Sequence, residues 1–232
     1  GAGMSVLVVT GTDTGVGKTI ATAALAATLP GPVVVYKPTQ AGTDDGEGDV
    51  DVVRRLSGVP GVEGVRLPDP MAPVAAARRA GVRLPSIADH VGAVRRLDAT
   101  HDHVLVEGAG GLLVELDEEG RTLADLAEAL AAPVLVVCRS GLGTLNHTAL
   151  TVDALERRGI TLAGVLIGSW PAEPTAIDLD NRRHLERYGL LGALPEGLAQ
   201  SSPPRFTSCA AMTLRWISLV PSPTIISGAS RK

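Results

Sequence analysis

The chain has 232 residues, 45% of them hydrophobic and 2% aromatic, and a formal net charge of −4. This acidic balance argues against a nucleic-acid-binding surface. The sequence contains no apolar run of about 18 residues, so no membrane-spanning helix is predicted. Two widely separated cysteines, and a strand predicted directly after Met4, favour a reduced cytoplasmic protein without a targeting segment. Residues 1–3 are expected to be a cloning scar.

Short apolar runs alternate with amphipathic stretches from Val6 onwards. The predicted strands are Val6–Val9, Val33–Tyr36, Val104–Val106, Val134–Cys138, Leu162–Ile167 and the less strongly patterned Leu191–Leu194. The predicted helices are Lys18–Leu29, Val50–Leu56, Ser86–Leu97, Thr122–Leu130, Thr144–Arg158 and Asn181–Tyr188. Strands that are apolar on both faces and separated by helices indicate an α/β fold, with a mostly parallel sheet and helices on both faces. The sequence thus predicts a single domain over residues 4–197.

The last part of the chain has a different composition. Residues 197–232 contain no Asp or Glu, whereas the preceding residues hold all 25 acidic side chains. Seven Ser and four Pro are concentrated in this segment, and Ala210–Val220 is its one clearly apolar stretch. We expect residues 198–232 to form an atypical Ser/Pro-rich tail, either disordered or with one helix or strand at the apolar stretch.

A glycine-rich turn follows the first predicted strand and leads into the first predicted helix. Its sequence, Gly11-Thr-Asp-Thr-Gly-Val-Gly-Lys-Thr19, places two glycines just before a lysine and a threonine. Successive N–H groups of such a turn form an anion site, and the helix N-terminus adds partial positive charge. Lys18 can reach the β- and γ-phosphates of a nucleotide, and the Thr19 hydroxyl can bind Mg²⁺. The strict pattern requires glycine where this chain has Thr12, so the turn is a variant P-loop.

Lysine is rare in this chain, which has 18 Arg but only Lys18, Lys37 and Lys232. Since arginine is used wherever any cation suffices, a lysine in the folded part indicates a role for a compact ammonium group. Lys37 follows the second predicted strand, and ligands of a parallel sheet bind beyond the carboxyl ends of its strands. We predict that Lys18 and Lys37 are catalytic cations around a transferred phosphoryl group. The alternative for Lys37 is a solvent-facing loop position.

Two acidic positions are candidate Mg²⁺ ligands beside Thr19. The acidic segment at residues 44–51 contains Asp49, which is favoured over Asp51 because it opens a predicted helix. Glu107 ends the third predicted strand, a position from which a carboxylate near a P-loop faces the metal. The glycine-rich turn at residues 108–111 then allows backbone to approach a phosphate or a substrate. The alternative for each acid is an ordinary solvated or capping carboxylate.

Together these motifs resemble those of the dethiobiotin synthetase family. The members of this family are P-loop enzymes of biotin biosynthesis. The resemblance rests on G-T-D-T-G-V-G-K-T (11–19), Y-K-P-T-Q-A-G (36–42), the acid at 49, V-E-G-A-G-G-L-L-V (106–114), G-L-G-T-L-N-H-T (141–148) and I-G-S-W (167–170). It implies a P-loop NTPase-like fold and a homodimeric, Mg²⁺-dependent ligase. Such an enzyme converts 7,8-diaminononanoate, CO₂ and ATP into dethiobiotin, ADP and phosphate.

The resemblance also implies roles for individual residues. Lys18 and Lys37 would stabilise transferred charge, and Thr19, Asp49 and Glu107 would hold Mg²⁺. Nucleotide contacts are expected at Thr14, Gly15, Val16, Gly17, Lys18, Thr19, Ile20, Asp49, Glu107, Gly108, Ala109, Gly110, Gly168, Ser169, Pro195, Glu196 and Gly197. Substrate contacts are expected at Thr12, Lys37, Ala41 and Gly111 and, across a dimer interface, at Thr144, Leu145 and Asn146.

One position departs from the family, and two other classes of protein also fit a P-loop. The family commonly has a hydroxyl residue four positions after the second lysine, where this chain has Ala41, and Thr43 is the alternative source of that contact. A cobyrinate-type amidoligase usually carries a glutaminase domain, for which this chain is too short. A partition-type ATPase typically has another lysine early in its P-loop, and Gly11–Val16 contains none.

Overall fold

The computed structural model describes residues 5–43 and 46–214. Its strands are β1 (Val6–Gly11), β2 (Val33–Ala41), β3 (Gly61–Leu67), β4 (His103–Gly111), β5 (Val134–Cys138), β6 (Leu162–Trp170) and β7 (Leu190–Pro195). Its helices are α1 (Lys18–Thr28), α2 (Asp49–Ser57), α3 (Pro73–Ala80), α4 (Ile87–Asp98), α5 (Leu123–Leu130), α6 (Thr144–Arg157), α7 (Ala176–Leu185) and α8 (Pro203–Thr213). Within these residues, no helix is long and apolar enough to cross a membrane.

The strands form one sheet in the order β3-β2-β4-β1-β5-β6-β7, and every neighbouring pair is parallel. Parallel strands cannot be joined by hairpins, so each connection crosses over a face of the sheet, and each of these connections contains a helix. The α/β prediction with a parallel sheet is confirmed. Because all strands run in the same direction, the segments that follow β1, β2 and β4 meet at one edge of the sheet.

Alternating side chains of the strands build a separate core on each face of the sheet. On one face, Val34 and Val104 pack with residues of α4, α5, α6 and α7. On the other, Val35 and Leu105 pack with residues of α1, α2 and α8. Each central strand buries both of its faces, and this explains why the strands are rich in Val and Leu throughout. Helices therefore cover both faces, as the sequence predicts.

Strand β2 separates from β4 partway along its length. The ladder between them ends where Tyr36 pairs with Val106, whereas β2 continues to pair with β3 as far as Ala41. Pro38 lies just beyond that point and has no N–H to donate to a neighbouring strand. The carboxyl ends of β2 and β4 are therefore not hydrogen-bonded to each other, which leaves room for a cleft between them.

Within the predicted domain of residues 4–197, two elements were not predicted, and one was predicted to begin too late. β3 is an edge strand whose alternate residues Val62, Gly64 and Arg66 are exposed, so it lacks a continuous apolar run. α3 is short and Ala-rich, and Pro73 at its start looks like a breaker in the sequence although proline is favoured there. α7 begins at Ala176 rather than Asn181, because a capping box between Thr175 and Asp178 starts the helix earlier.

The structure also differs from the sequence expectation in the first part of the C-terminal tail. Residues 198–200 form a 3-10 turn and residues 203–213 form α8, in which Phe206 and Ala210 are fully buried. These two side chains lie four residues apart on one face of α8 and cover the core beside α1 and α2. The prolines at 203 and 204 begin the helix instead of breaking it. The remainder of the apolar stretch, residues 215–220, lies outside the described residues.

A buried polar pair connects β2 with α4. The Tyr36 hydroxyl lies 2.7 Å from His90 Nδ1, and the two side chains are 2% and 0% exposed. Burial lowers the pKa of His90, which the nearby charges of Asp89 and Asp117 oppose. The folded protein therefore favours the neutral imidazole, while the unfolded chain takes up a proton below the ordinary histidine pKa of about 6.5. The stabilisation that depends on neutral His90 is consequently lost as the pH falls below that value.

We expect H90N, which keeps an amide near the position of Nδ1 but cannot titrate, to flatten this pH dependence. The variant should be less stable than the wild type at pH 7.5, because it leaves a small cavity. Between pH 7.5 and 5.5, however, it should lose about 1 kcal/mol less unfolding free energy than the wild type. Urea unfolding at the two pH values measures this difference. An equal loss in both proteins would show that His90 is not the titrating group.

Candidate active site

The P-loop has the strand, turn and helix arrangement that its sequence predicts. Its start is tied to β5 by a hydrogen bond from the Thr12 N–H to the Val137 carbonyl (3.0 Å). Gly15 and Gly17 have φ angles of +71° and +100°, which L side chains rarely adopt. No side chain caps the N-terminus of α1. The first N–H groups of that helix are thus available to bind phosphate.

Four functional side chains converge at the edge of the sheet where β2 and β4 separate. Lys37 Nζ lies 2.5 Å from Asp49 Oδ2 and 3.7 Å from Glu107 Oε1. The same ammonium donates to the Gly108 carbonyl at 2.9 Å. The Thr19 hydroxyl donates to Glu107 Oε1 at 2.8 Å. The starts of α1 and α2 and the ends of β2 and β4 therefore meet around one buried ammonium.

Burial and charge act in opposite directions within this cluster. Burial raises the pKa of Glu107, and the positive charge of Lys37 opposes that shift. Burial lowers the pKa of Lys37, but Glu107 and Asp49 outweigh it, so the pKa of Lys37 lies above its ordinary value and the ammonium stays protonated. Lys18 differs, because burial and the neighbouring Lys37 both lower its pKa. Lys18, beside the cluster, and Lys37, within it, therefore lie in different electrostatic environments.

The three predicted metal-binding side chains fit Mg²⁺. Thr19, Asp49 and Glu107 supply a hydroxyl and two carboxylates, which are the hard oxygen donors that Mg²⁺ prefers, and Glu107 Oε2 is buried without a hydrogen-bond partner. In residues 5–43 and 46–214 no group of three or more His, Cys, Asp or Glu side chains could hold a metal. A site for Mg²⁺ beside a P-loop does not need one, since nucleotide phosphates and water complete its coordination.

The structure separates the two aspartates that the sequence left as rivals. The Asp49 carboxylate faces Lys37, and the backbone N–H of Asp49 donates to Gln40 Oε1 at 2.7 Å. The Asp51 carboxylate instead accepts the Gly48 N–H at 2.9 Å and pairs with Arg66. Asp51 therefore caps α2 and lies outside the cluster, while Gln40 fixes the first turn of the helix that carries Asp49.

A cleft of about 690 Å³ lies between the P-loop and the segment that joins β3 to α3. One side is polar and carries the charged cluster. The other side is largely apolar and includes Pro70, Met71, Ala72 and Pro73. No motif marks this wall in the sequence, and β3, the strand that precedes it, was not predicted. The cleft thus joins a phosphate-binding end to an apolar end.

Many of the predicted site residues are brought together at this cleft. Those that line it are Thr14, Gly15, Gly17, Lys18, Thr19, Ile20, Lys37, Ala41, Asp49, Glu107, Ala109 and Gly110. Gly108 contributes the carbonyl that accepts from Lys37. Thr12, Val16 and Gly111 do not line the cleft, but they belong to the P-loop and the end of β4 beside it.

The predicted base contacts lie at the ends of β6 and β7 and do not line the cleft. Ser169, Pro195, Glu196 and Gly197 are exposed there, and the Glu196 N–H donates to the Trp170 carbonyl at 2.9 Å. Gly168 is buried against the P-loop: a Cβ atom on it would lie 2.1 Å from the Val16 carbonyl oxygen and 2.8 Å from Val137 Cγ1. The end of β6 therefore packs directly on the phosphate-binding turn.

The three residues predicted to bind a substrate carboxylate begin α6. Thr144 is 3% exposed and its side chain points inward, whereas Asn146 is exposed and Leu145 is half-buried. Gly143 precedes the helix in a left-handed conformation, and no side chain caps its N–H groups. A carboxylate at this helix end would thus meet backbone N–H groups and Asn146 rather than the hydroxyl of Thr144.

Arg139 braces the P-loop from the side that faces away from the cleft, a contact that no motif indicated. Its guanidinium donates to the Thr14 carbonyl at 2.9 Å and to Asp13 Oδ2 at 3.3 Å. The other oxygen of Asp13 accepts the Thr14 N–H at 2.7 Å. Both backbone groups of Thr14 are thereby held by side chains, which leaves the later N–H groups of the turn for a ligand.

Comparisons with known proteins give relatives that match nearly the whole chain. A family model described as an AAA domain matches residues 5–204. A protein of Mycobacterium sp. (strain JLS) named ATP-dependent dethiobiotin synthetase BioD is 53% identical over 225 residues, covering 92% of this chain and 98% of that protein. A protein of the same name from Rhodococcus erythropolis is 50% identical over 232 residues, covering 96% of this chain and 100% of its own length.

Solved structures share the fold at low sequence identity. A ParA family ATPase from Chlorobium tepidum aligns with a TM-score of 0.55 at 12% identity, covering 90% of this chain and 92% of that one. The cell division ATPase MinD of Pyrococcus furiosus aligns with a TM-score of 0.53 at 17% identity, covering 90% and 98%. These similarities show that the fold is shared and nothing about the reaction.

The contact between Gly168 and the P-loop predicts that G168A weakens nucleotide binding. The new methyl group would push the Val16 carbonyl outward and disturb the turn, so we expect the Kd for Mg-ADP to rise about tenfold or more. Titration calorimetry on both proteins measures this change. G141A is the matched control, because a Cβ atom at Gly141 meets nothing within 4 Å. If G168A bound Mg-ADP within about twofold of the wild-type affinity, the contact between Gly168 and the P-loop would not be needed for nucleotide binding.

Proposed function

Because the chain belongs to the ATP-dependent dethiobiotin synthetase family, we propose that it forms the cyclic urea of dethiobiotin from 7,8-diaminononanoate, CO₂ and ATP. It is an ATP-dependent ligase that forms a carbon–nitrogen bond, the class of enzyme to which dethiobiotin synthetases belong. The observation that carries the proposal is the buried Lys37 ammonium, paired with two carboxylates beside a P-loop lysine. This cluster opens towards an apolar wall that suits an alkyl substrate.

The phosphate end of the cleft would bind and orient ATP. The uncapped N-terminus of α1 and the N–H groups of the P-loop hold the phosphate oxygens, and Lys18 adds a positive charge. Mg²⁺, held by Thr19, Asp49 and Glu107, would neutralise charge on the β- and γ-phosphates. Lys37, in the charged cluster beside the P-loop, stays protonated and would stabilise negative charge on the transferred group.

The reaction needs one phosphoryl transfer and one ring closure. One amine of the substrate adds to CO₂ and loses a proton, giving a carbamate. A carbamate oxygen then attacks the γ-phosphorus, and ADP leaves. The second amine attacks the carbonyl carbon of this mixed anhydride, so that phosphate leaves and the cyclic urea forms. The residues of the cleft hold the reacting atoms together and screen the charge that moves between them.

The apolar end of the cleft would position the hydrocarbon chain of the diamine. Pro70, Met71, Ala72 and Pro73 contribute largely apolar surface opposite the P-loop, and Val114 lies on the same cleft. An alkyl chain packed there removes water from the reacting end. The substrate carboxylate would then lie at the N-terminus of α6, where the backbone N–H groups are uncapped.

The other classes of protein that fit a P-loop have less support. Partition-type ATPases share the fold at 12% and 17% identity, which carries no argument about their activity. An amidoligase reading has no support among the relatives described above, which match nearly the whole chain and carry the synthetase name. The sequence, the cleft and the relatives therefore together favour a synthetase function.

The proposal predicts that K37M abolishes ring formation while nucleotide binding persists. Without the ammonium, Asp49 and Glu107 repel the developing charge, so we expect kcat to fall by about 100-fold or more. Dethiobiotin formed from Mg-ATP, bicarbonate and the diamine is followed by mass spectrometry, and Mg-ADP binding is measured by calorimetry. K37R is the control for charge alone, and it should also lose most activity because a guanidinium does not fit the buried position. Full activity in K37M would contradict the assignment.

We also propose that α6 contributes to a homodimer. Two large apolar side chains near this helix are strongly exposed: Leu142 at 88% and Leu150 at 59%. Exposed apolar side chains on the same element as a substrate-binding helix end suit an interface with a second copy. Such an interface would bring the N-terminus of α6 close to the partner's cleft.

We therefore expect L150E to produce a monomer. A charge at this position would be buried and unpaired in the dimer, at a cost larger than a single surface contact supplies. Sedimentation velocity at micromolar concentrations distinguishes the two states. M212E is the matched control. Met212 is a strongly exposed apolar side chain, at 88%, but it lies on α8 at the other face of the sheet. A dimeric L150E, or a monomeric wild type, would contradict the proposed interface.

A further inference from the structure

The side chains of β2 that face the P-loop include a hydroxyl without a visible role. Lys37, Thr39 and Ala41 alternate along β2, so their side chains lie on the same face of the strand, and all three line the cleft. Thr39 is 1% exposed, and its Oγ1 has no hydrogen-bond partner. A buried hydroxyl without a partner is costly, since burial removes the water that would otherwise bind it. Such a group in a binding cleft suits a ligand that supplies the missing partner.

Its neighbours indicate which part of the substrate it meets. On one side lies Lys37, at the charged end where phosphoryl transfer would take place. On the other side lie Ala41 and the wall at Pro70 and Met71, at the apolar end. Thr39 thus stands at the junction of the two ends, where the amino groups of the diamine join its hydrocarbon chain.

Neither neighbouring position supplies another free hydroxyl. Ala41 has none, and the Thr43 hydroxyl donates to the Leu67 carbonyl at 3.2 Å. Thr43, which the sequence analysis offered as the substitute for Ala41, is therefore committed to the backbone of β3. Thr39, two residues before Ala41 on the same face, has the unpaired hydroxyl instead.

We propose that the Thr39 hydroxyl binds an amino group of the diamine substrate and so takes the place of the hydroxyl that Ala41 lacks. This inference rests on the proposed function and adds a specificity-determining residue to it. A hydroxyl can accept from an amine and donate to a carbamate oxygen, so it serves the reacting nitrogen both before and after CO₂ is added. Protonated Lys37 can only donate hydrogen bonds, so the Thr39 hydroxyl would serve as the acceptor for the amine.

The test compares T39V, which removes the hydroxyl at nearly constant volume, with T39S, which keeps it. For T39V we expect the KM and the Kd for the diamine to rise about five- to tenfold, with the KM for ATP within about twofold of the wild type. T39S should retain the diamine affinity within about threefold. The melting temperature of T39V should stay equal or rise, because a methyl group replaces an unpaired hydroxyl.

Two further variants separate recognition from structure. T148V is the control, because Thr148 is also a fully buried threonine, but it lies on α6 outside the cleft, where its hydroxyl interacts with the Cys138 thiol. It should leave both KM values unchanged. T39V/A41S returns a hydroxyl to the same face of β2 two residues later, and should recover at least part of the diamine affinity.

The inference is overturned if T39V binds the diamine as tightly as the wild type. It is also overturned if T39V loses ATP affinity and thermal stability to the same extent as diamine affinity, since Thr39 would then act structurally. Failure of the proposed function looks different: the wild type itself would form no dethiobiotin, although it binds Mg-ADP.

Discussion

The active site depends on one buried ion cluster. Lys37 is 3% exposed, and a single ammonium at that depth would be strongly unfavourable without partners. Asp49 and Glu107 supply them, and the fully buried Glu107 carboxylate in turn depends on the lysine, whereas the Asp49 side chain is 31% exposed. Each of the three groups thereby fixes the position of the others. The cluster is thus prearranged before a nucleotide arrives, which is the condition under which charged groups contribute most to catalysis.

The parallel sheet determines which residues can take part in this cluster. β4 lies between β2 and β1, so the ends of all three strands reach the same edge. Pro38 stops the pairing of β2 with β4 and leaves a cleft at their ends. The P-loop supplies the phosphate-binding side of that cleft, and the connection from β3 to α3 supplies the apolar side. The geometry of the fold therefore accounts for a site with one charged end and one apolar end.

The sequence predicted the charged end far better than the apolar end. Lys18, Lys37 and Glu107 were identifiable because rare ionic residues next to apolar strands carry strong signals. The wall at Pro70–Pro73 lacks such a signal, since small and apolar residues in a connection have no chemistry of their own. Thr39 was missed for a related reason: a threonine in a strand is ordinary, and only the structure reveals that its hydroxyl is unpaired.

The same contrast holds for the fold. The starts of the central strands were predicted within one residue, and both bounds of β5 were predicted, because burial on both faces makes these segments uniformly apolar. The predicted ends of β2 and β4 fall five residues short, because polar residues and glycines follow the apolar run. The edge strand β3 and the terminal helix α8 were not recognised as elements, because tertiary contacts rather than local pattern decide them. For α8 in particular, the need to cover the core beside α1 and α2 outweighs a composition rich in Ser and Pro.

In the proposed reaction a carbamate oxygen bound in this cleft attacks the γ-phosphorus, and the same oxygen leaves with the phosphate when the C–O bond breaks at ring closure. The most direct measurement is a single turnover with ¹⁸O-labelled bicarbonate, started before the label exchanges with water, followed by mass spectrometry of the released phosphate. Transfer of one labelled oxygen to phosphate, together with formation of dethiobiotin, is the result that the account predicts. Dethiobiotin formed with unlabelled phosphate, or phosphate released without any cyclic urea, would contradict it.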